Sequence, residues 1–218
     1  MVHRSVGAHA KTRSGRKMLV AGIDPGTNGA VAVYDTECKR LVCVEDIPTW
    51  WQAVGKKKRQ RVDPIALMEL FDRLNFLGVE LIVMEAVGGR PRQSASAGFV
   101  FGHVVGMLMM CIMYNRIMVE TVPPQNWKKL LKVPGKAGGK DKSSIEKKAA
   151  QEAIMQRANE LFPHDRDMFR TPRGAYRMDQ AEAAMLARFG ADFVVPQGRT
   201  LSTEDEYNMQ YRNAETGA

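Results

Sequence analysis

The sequence predicts an α/β domain, and three observations carry that reading. Apolar runs of strand length alternate with longer segments of helical periodicity. Tight turn signals join the opening runs, which makes the first part of the sheet an antiparallel meander. A hydrophobic content of 44% over 218 residues supplies one buried core of medium size, with tails.

The first strand spans Lys17 to Asp24, because MLVAGI is apolar throughout, as in a central strand covered on both faces. Pro25-Gly26 turns the chain, GAVAVYD alternates with period two, and RLVCVEDI supplies the third strand. PTWWQAVGKKKRQR is polar and charged after its tryptophans and reads as a loop. Asp63 then caps a helix with Pro64 at its first position, where the missing N–H costs nothing. Ile65, Leu67, Met68, Leu70, Phe71 and Leu74 give that helix a core face, and Gly78 closes it. VELIVMEA is a second buried-type strand, ending near Glu85.

The loop VGGRPRQSAS leads into a Met-rich helix from Ala95 to Tyr114. The strand IMVETV, the short Pro-started helix PPQNWKKLL and the basic loop KVPGKAGGKDK follow. Ser143 and Glu146 have capping-box spacing for a long helix through Leu161. FPHDRDMFRTPRG reads as a loop and Tyr176 to Phe189 as the last helix. Residues 1–16 read as a basic flexible arm, 17–195 as the folded domain and 196–218 as a polar tail.

A formal net charge of +8 favours a polyanionic partner. Three cysteines without a CxxC pair argue against a disulfide scaffold or a zinc knuckle and suit a reducing compartment such as the cytoplasm. FVFGHVVGMLMMCIM, Phe99 to Met113, is short for a bilayer and reads as a buried core helix, with His103 a core histidine and no membrane partner expected. The first residues lack both acids and an apolar stretch, so no secretory signal is expected. A disordered arm touching DNA is the preferred reading there, and an organellar transit peptide, with a matrix or stromal location, is the alternative.

The chemistry-bearing pattern is acids at the ends of buried-type elements: Asp24 and Glu85 close strands, while Asp179 and Glu182 lie at i and i+3 on one helix face beside alanines. Each has a plain explanation: Asp24 capping the Pro-Gly turn, Glu85 an exposed strand end, Asp179 and Glu182 a solvated helix face. Gathered together, four carboxylates repel unless cations offset the repulsion. Their oxygens suit Mg²⁺ or Mn²⁺, and two such ions about 4 Å apart can activate water and stabilise the leaving oxygen of a phosphodiester.

GIDPGTNGAVAVYD, LIVMEA, GGKDKSSI and MDQAEAAMLA occur in the order found in RuvC-type Holliday-junction resolvases, so Met18 to Gly190 resembles that family in a divergent phage or organellar style. The resemblance implies a ribonuclease-H-like fold: a mixed central sheet, antiparallel over its first three strands and parallel after them, flanked by helices. It implies a homodimeric endonuclease of DNA recombination and repair that resolves four-way DNA junctions by paired symmetric nicks. It also implies Asp24, Glu85, Asp179 and Glu182 as catalytic carboxylates that bind two Mg²⁺ or Mn²⁺ ions per site, with no small-molecule cofactor. Lys142 matches a lysine placed near the scissile phosphate, and Lys128 a further basic position. Glu182 stands where the family also has Asp, a longer arm, and the aromatic that often follows the second acid is replaced by EAVGGRPRQ, where Arg90 and Arg92 reach phosphates instead of stacking on bases.

Lys56, Lys57, Lys58, Arg59 and Arg61, with Lys136 and Lys140 of the later loop, are read as DNA contacts; a localisation patch or a solvated loop is the other reading of the first run. Trp50 and Trp51 are read as packing on the sheet edge rather than stacking on bases, and His164, with Asp165 and Asp167, as a minor candidate for an extra metal contact or general base. Three alternative functions stand beside the first: a nuclease of RNA–DNA hybrids or other branched DNA, a non-catalytic DNA-binding module, and an actin/Hsp70-like ATPase. The last is suggested by GIDPGTNG but disfavoured by length and by the lack of a second phosphate loop.

Overall fold

The computed structural model describes residues 17–55, 57–86, 88, 94–134 and 144–197. Its elements are β1 (Leu19–Asp24), β2 (Ala30–Asp35), β3 (Arg40–Asp46), β4 (Thr49–Val54), β5 (Lys57–Val62) and α1 (Pro64–Leu77). They continue with β6 (Val79–Glu85), α2 (Ala95–Tyr114), β7 (Met118–Val122), α3 (Pro124–Leu130), α4 (Ser144–Leu161) and α5 (Met178–Phe189). A five-stranded sheet runs in the order β3-β2-β1-β6-β7. The first three strands pair antiparallel and β1, β6 and β7 pair parallel, the mixed pattern expected.

Strand alternation divides the core into two layers. Val20, Leu81 and Val83 face the side covered by α3, α4 and α5, whereas Ala21, Ile23, Ile82 and Met84 face α1 and α2. The first turn of α1 is capped as the local chemistry dictates: the Asp63 carboxylate accepts the N–H groups of Ile65 and Ala66. Gly78 ends it in the left-handed region at φ 83°.

At Gly22, α5 lies against β1 with no side chain of the strand between them. A Cβ on Gly22 would fall far inside 3.0 Å of the Ala183 carbonyl oxygen and the Ala187 amide nitrogen. Gly190, just past the helix, packs directly on the side chains of Val20 and Val83. The helix is covered on its outer side as well, and Ala181, Ala183, Ala184, Met185, Leu186 and Ala187 are wholly buried.

Several expectations need correction, among them Ile65 and Met68 of the expected α1 core face, which are exposed. PTWWQAVGKKKRQR is no loop: β4 and β5 form a separate two-stranded antiparallel sheet, with Trp50 opposite Arg61 and Gln52 opposite Arg59. Cross-strand hydrogen bonds rather than a buried face hold this ribbon, so it lacks the apolar alternation that marks a strand. Trp50 and Trp51 accordingly stay 45% and 64% exposed instead of packing on the sheet edge.

α2 is a core helix on one side alone. Val104, Leu108, Cys111 and Ile112 are buried, while Phe99, Met110, Met113 and Tyr114 are exposed. His103 is exposed too, so it is not a core histidine. At 20 residues α2 is long and apolar enough to cross a membrane by length and composition, which the shorter Phe99–Met113 stretch understated, yet its inner face is built into the α1 side of the core. The last helix begins at Met178, two residues later than expected, because Tyr176 is taken up by a bridge with Arg170. The arm of residues 1–16, the capping residue Ser143 and the tail beyond 197 lie outside the described residues.

Candidate active site

Asp24 ends β1 and Glu85 ends β6, its parallel neighbour; the register runs to Ile23 opposite Met84. One step further on, the two acids are neighbours at one end of the sheet, and alternation turns both toward the α5 side. α5 brings the second pair. Gly190 lies over Val20, and Ala183 to Ala187 over Gly22, so the helix runs antiparallel to β1. One further step of about 7 Å toward the helix start matches two residues, also about 7 Å, along the strand. That step sets the turn of Asp179 and Glu182 over the end of β1, at Asp24.

The same turn is pinned from β3. Gln180 Nε2 donates to Asp46 Oδ1 at 2.9 Å, and Arg177 forms an ion pair with the same carboxylate. α3 comes in from the other side. The indole Nε1 of buried Trp127 donates to Glu85 Oε2 at 3.1 Å. The Lys128 ammonium lies 3.6 Å from Glu182 Oε1 and 4.8 Å from the Trp127 ring centroid. Glu182 is 2% exposed and Lys128 15%, so the carboxylate is buried while its partner keeps an edge to solvent.

Four carboxylates therefore share one end and one face of the sheet. Among the described residues, however, no group of three or more His, Cys, Asp or Glu side chains stands close enough to hold one metal ion. Glu85 is drawn to the indole and Glu182 to the ammonium. A buried carboxylate such as Glu182 requires a positive partner. Lys128 fills that need here, and a hard divalent cation fits the same oxygen donors by chemistry.

Of the predicted DNA contacts, Lys128 belongs to this site and Lys57, Lys58, Arg59 and Arg61 to the β5 ribbon strand. Lys56, Arg90, Arg92, Lys136, Lys140 and Lys142 lie outside the described residues. The His164 group does not join the site. Asp165 is buried and clamps β3, accepting from Arg40 Nε at 2.7 Å and from the Leu41 amide at 3.0 Å, while His164 and Asp167 are exposed. Asp165→Ala is expected to cost about 2–3 kcal/mol, since it strands the buried Leu41 N–H and the Arg40 charge; the urea midpoint measures this.

Sequence reasoning missed Trp127, Asp46, Arg177 and Gln180. Trp127 carried a signal, an indole one residue before a basic candidate in a short helix; the Asp46 contacts span more than a hundred residues and carried none. Trp127→Phe removes the donor to Glu85 and leaves a smaller ring in a filled core. We expect a loss of about 2–3 kcal/mol, read as a lower urea midpoint.

No family model and no curated protein matches the sequence. Solved structures similar to it include T. thermophilus RuvC in complex with a Holliday junction substrate, at 16% identity over 80% of this chain and 94% of that one, with TM-score 0.48. A second Thermus thermophilus RuvC structure is similar at 15% identity, over 82% of this chain and 98% of that one, with TM-score 0.43. The yeast mitochondrial Holliday junction resolvase Ydc2 shares 16% identity over 88% of this chain and 83% of that one, with TM-score 0.41.

Proposed function

We propose that this protein is a divalent-metal-dependent endonuclease of branched DNA, with the four-way junction as its principal substrate. The observation that supports the reading is the antiparallel seating of α5 on β1, from which the Asp179–Glu182 turn would lie toward the strand ends bearing Asp24 and Glu85. The order of the motifs along the chain supports it from the sequence side.

Asp24, Glu85, Asp179 and Glu182 would hold one or two Mg²⁺ or Mn²⁺ ions, with Glu182 released from Lys128 as they bind. Such ions, when bound, generate a hydroxide-like water at neutral pH and neutralise charge on the leaving oxygen. The protein's own groups do the positioning. Trp127 holds Glu85 in one orientation through its indole N–H. Lys128, freed from Glu182, can donate to a phosphate oxygen at the same spot. Lys142, Lys136 and Lys140, with Arg90 and Arg92, are further phosphate contacts in this reading.

Paired nicking of a two-fold junction needs two such sites facing it, which a two-fold dimer supplies. The outer face of α2 suits a second copy. It is exposed at Phe99, Met110, Met113 and Tyr114, and nothing lies within 4 Å of the Cβ positions of Gly102 and Gly106, so another backbone can approach closely.

The test compares a four-way junction, a flap and an RNA–DNA hybrid with Mg²⁺ or Mn²⁺ at fixed salt. Symmetric paired nicks in the junction are expected. Cleavage confined to the hybrid would replace the junction by a ribonuclease-H-like substrate, and no cleavage of any substrate would leave a binding module.

A further inference from the structure

The β4–β5 ribbon has two chemically different faces, because residues directly opposite in an antiparallel pair share a face. One face carries Trp50 with Arg61, Gln52 with Arg59, and Val54 with Lys57. The other carries Thr49 with Val62, Trp51 with Gln60, and Ala53 with Lys58. The second face turns toward the body of the domain at its base: Val62 is buried in the α1-side core, and Gln60 Nε2 donates to Thr49 Oγ1 at 2.8 Å and lies 3.5 Å from the Thr27 carbonyl oxygen.

The first face carries the row of cations, and toward the tip of the ribbon both faces are exposed, at Lys57 and Arg59 on the first and at Trp51 and Lys58 on the second. Lys57, Arg59 and Arg61 follow one another along the first face at about 7 Å intervals, the spacing of alternate strand residues. Arg61 Nε donates to Gln52 Oε1 at 3.2 Å, which orients its guanidinium, and Trp50 stands opposite Arg61. Neither strand contains an acid. The ribbon is also joined to the candidate active site. Thr27 lies three residues past Asp24, and Ala30, the partner of Asp24, pairs with Asp46 just before the ribbon begins.

We infer that the cation-bearing face of this ribbon, through Lys57, Arg59 and Arg61, grips the phosphate backbone of a double-helical nucleic-acid arm beside the active site. A protein partner is a poorer match, since protein interfaces are depleted of lysine and need an apolar centre. A two-stranded ribbon about 5 Å across its strand axes fits a major groove about 12 Å wide. Three cations in a row neutralise successive phosphates, whereas Lys58 faces the other way. The inference deepens the proposed function and rests on it for the class of partner.

The experiment measures affinity of the full chain for a short linear duplex, the same strand single, and a four-way junction, without divalent metal, between about 50 and 200 mM salt. Lys57→Gln/Arg59→Gln/Arg61→Gln is compared with Lys58→Gln. The triple variant is expected to lower the slope of log K against log salt on duplex by about 2.7, at about 0.9 for each phosphate contact, and Lys58→Gln to leave it unchanged. Should the triple variant fail to fold, Arg59→Gln alone is expected to lower the slope by about 0.9.

Unchanged slopes, or Lys58→Gln reproducing the loss, would overturn the assignment; a loss confined to single strands would overturn the duplex. Nicking of junctions by the unmodified protein is scored separately with Mg²⁺. Nicking with flat ribbon slopes sinks the ribbon and spares the nuclease reading. A ribbon-dependent slope in a protein that nicks nothing does the reverse.

Discussion

Asp24→Asn is expected to abolish metal-dependent nicking of a four-way junction while leaving junction affinity intact or slightly tighter. Asparagine keeps the shape of the side chain and the backbone pairing of residue 24 with Ala30, so β1 and its turn persist. What disappears is one negative charge and one strong oxygen donor at the end of β1, beside Glu85 at the end of β6. In the proposed mechanism, loss of a cation there would remove both the activated water and the charge stabilisation of the leaving oxygen. A fall of at least about a thousandfold, or about 4 kcal/mol of transition-state stabilisation, is the scale for such a group.

Asn also preserves the local backbone pairing, so the melting temperature is expected to hold. Nicking by purified protein and binding without metal are the two measurements. Persistent Mg²⁺-dependent nicking by the Asn variant would refute the proposed role of the carboxylates.

Gly22→Ala is expected to abolish folding outright or to leave a protein destabilised by at least about 4 kcal/mol, near the limit of what a domain of this size tolerates. The added methyl has no flexible neighbour to push aside. It meets the Ala183 carbonyl oxygen and the Ala187 amide nitrogen, both backbone, and Leu186 Cβ at 2.9 Å. Relief requires lifting α5 off β1, yet α5 is buried on all sides and pinned at its start by Asp46.

A partly folded survivor would also have Asp179 and Glu182 displaced from Asp24, so activity should fall further than stability alone predicts. Gly106→Ala is the control: its Cβ position is open, and helix propensity favours alanine by about 1 kcal/mol. Urea midpoints of the two variants measure the contrast. Equal midpoints would mean that α5 does not seat on Gly22 as described.

Much of the scaffold was legible because its determinants are local. The Asp63-Pro64 start and Gly78 end of α1 depend on neighbouring N–H groups and one backbone angle, and the structure places them where the residues predict. The bounds of α2 followed from an unbroken apolar run between polar loops. The ribbon was illegible for the opposite reason: KKRQRV has neither apolar alternation nor a core-facing row, and its strand geometry comes from partners across a turn. The exposure of His103 and the outer side of α2 was equally hidden, since an apolar helix reads the same whether covered on one side or on both.

By itself the sequence determined which residues carry charge at the ends of buried strands, that two acids share a helix face, and where most elements start and stop. These are properties of short stretches, governed by hydrophobic periodicity and capping. Only the tertiary structure decided that α5 runs antiparallel along β1, that Trp127 and Lys128 attend Glu85 and Glu182, and that Asp165 serves β3. Such pairings join residues far apart in the chain, and they are selected by close packing of a glycine against a helix backbone and by the need of buried charges for partners, conditions that exist only once the layers meet.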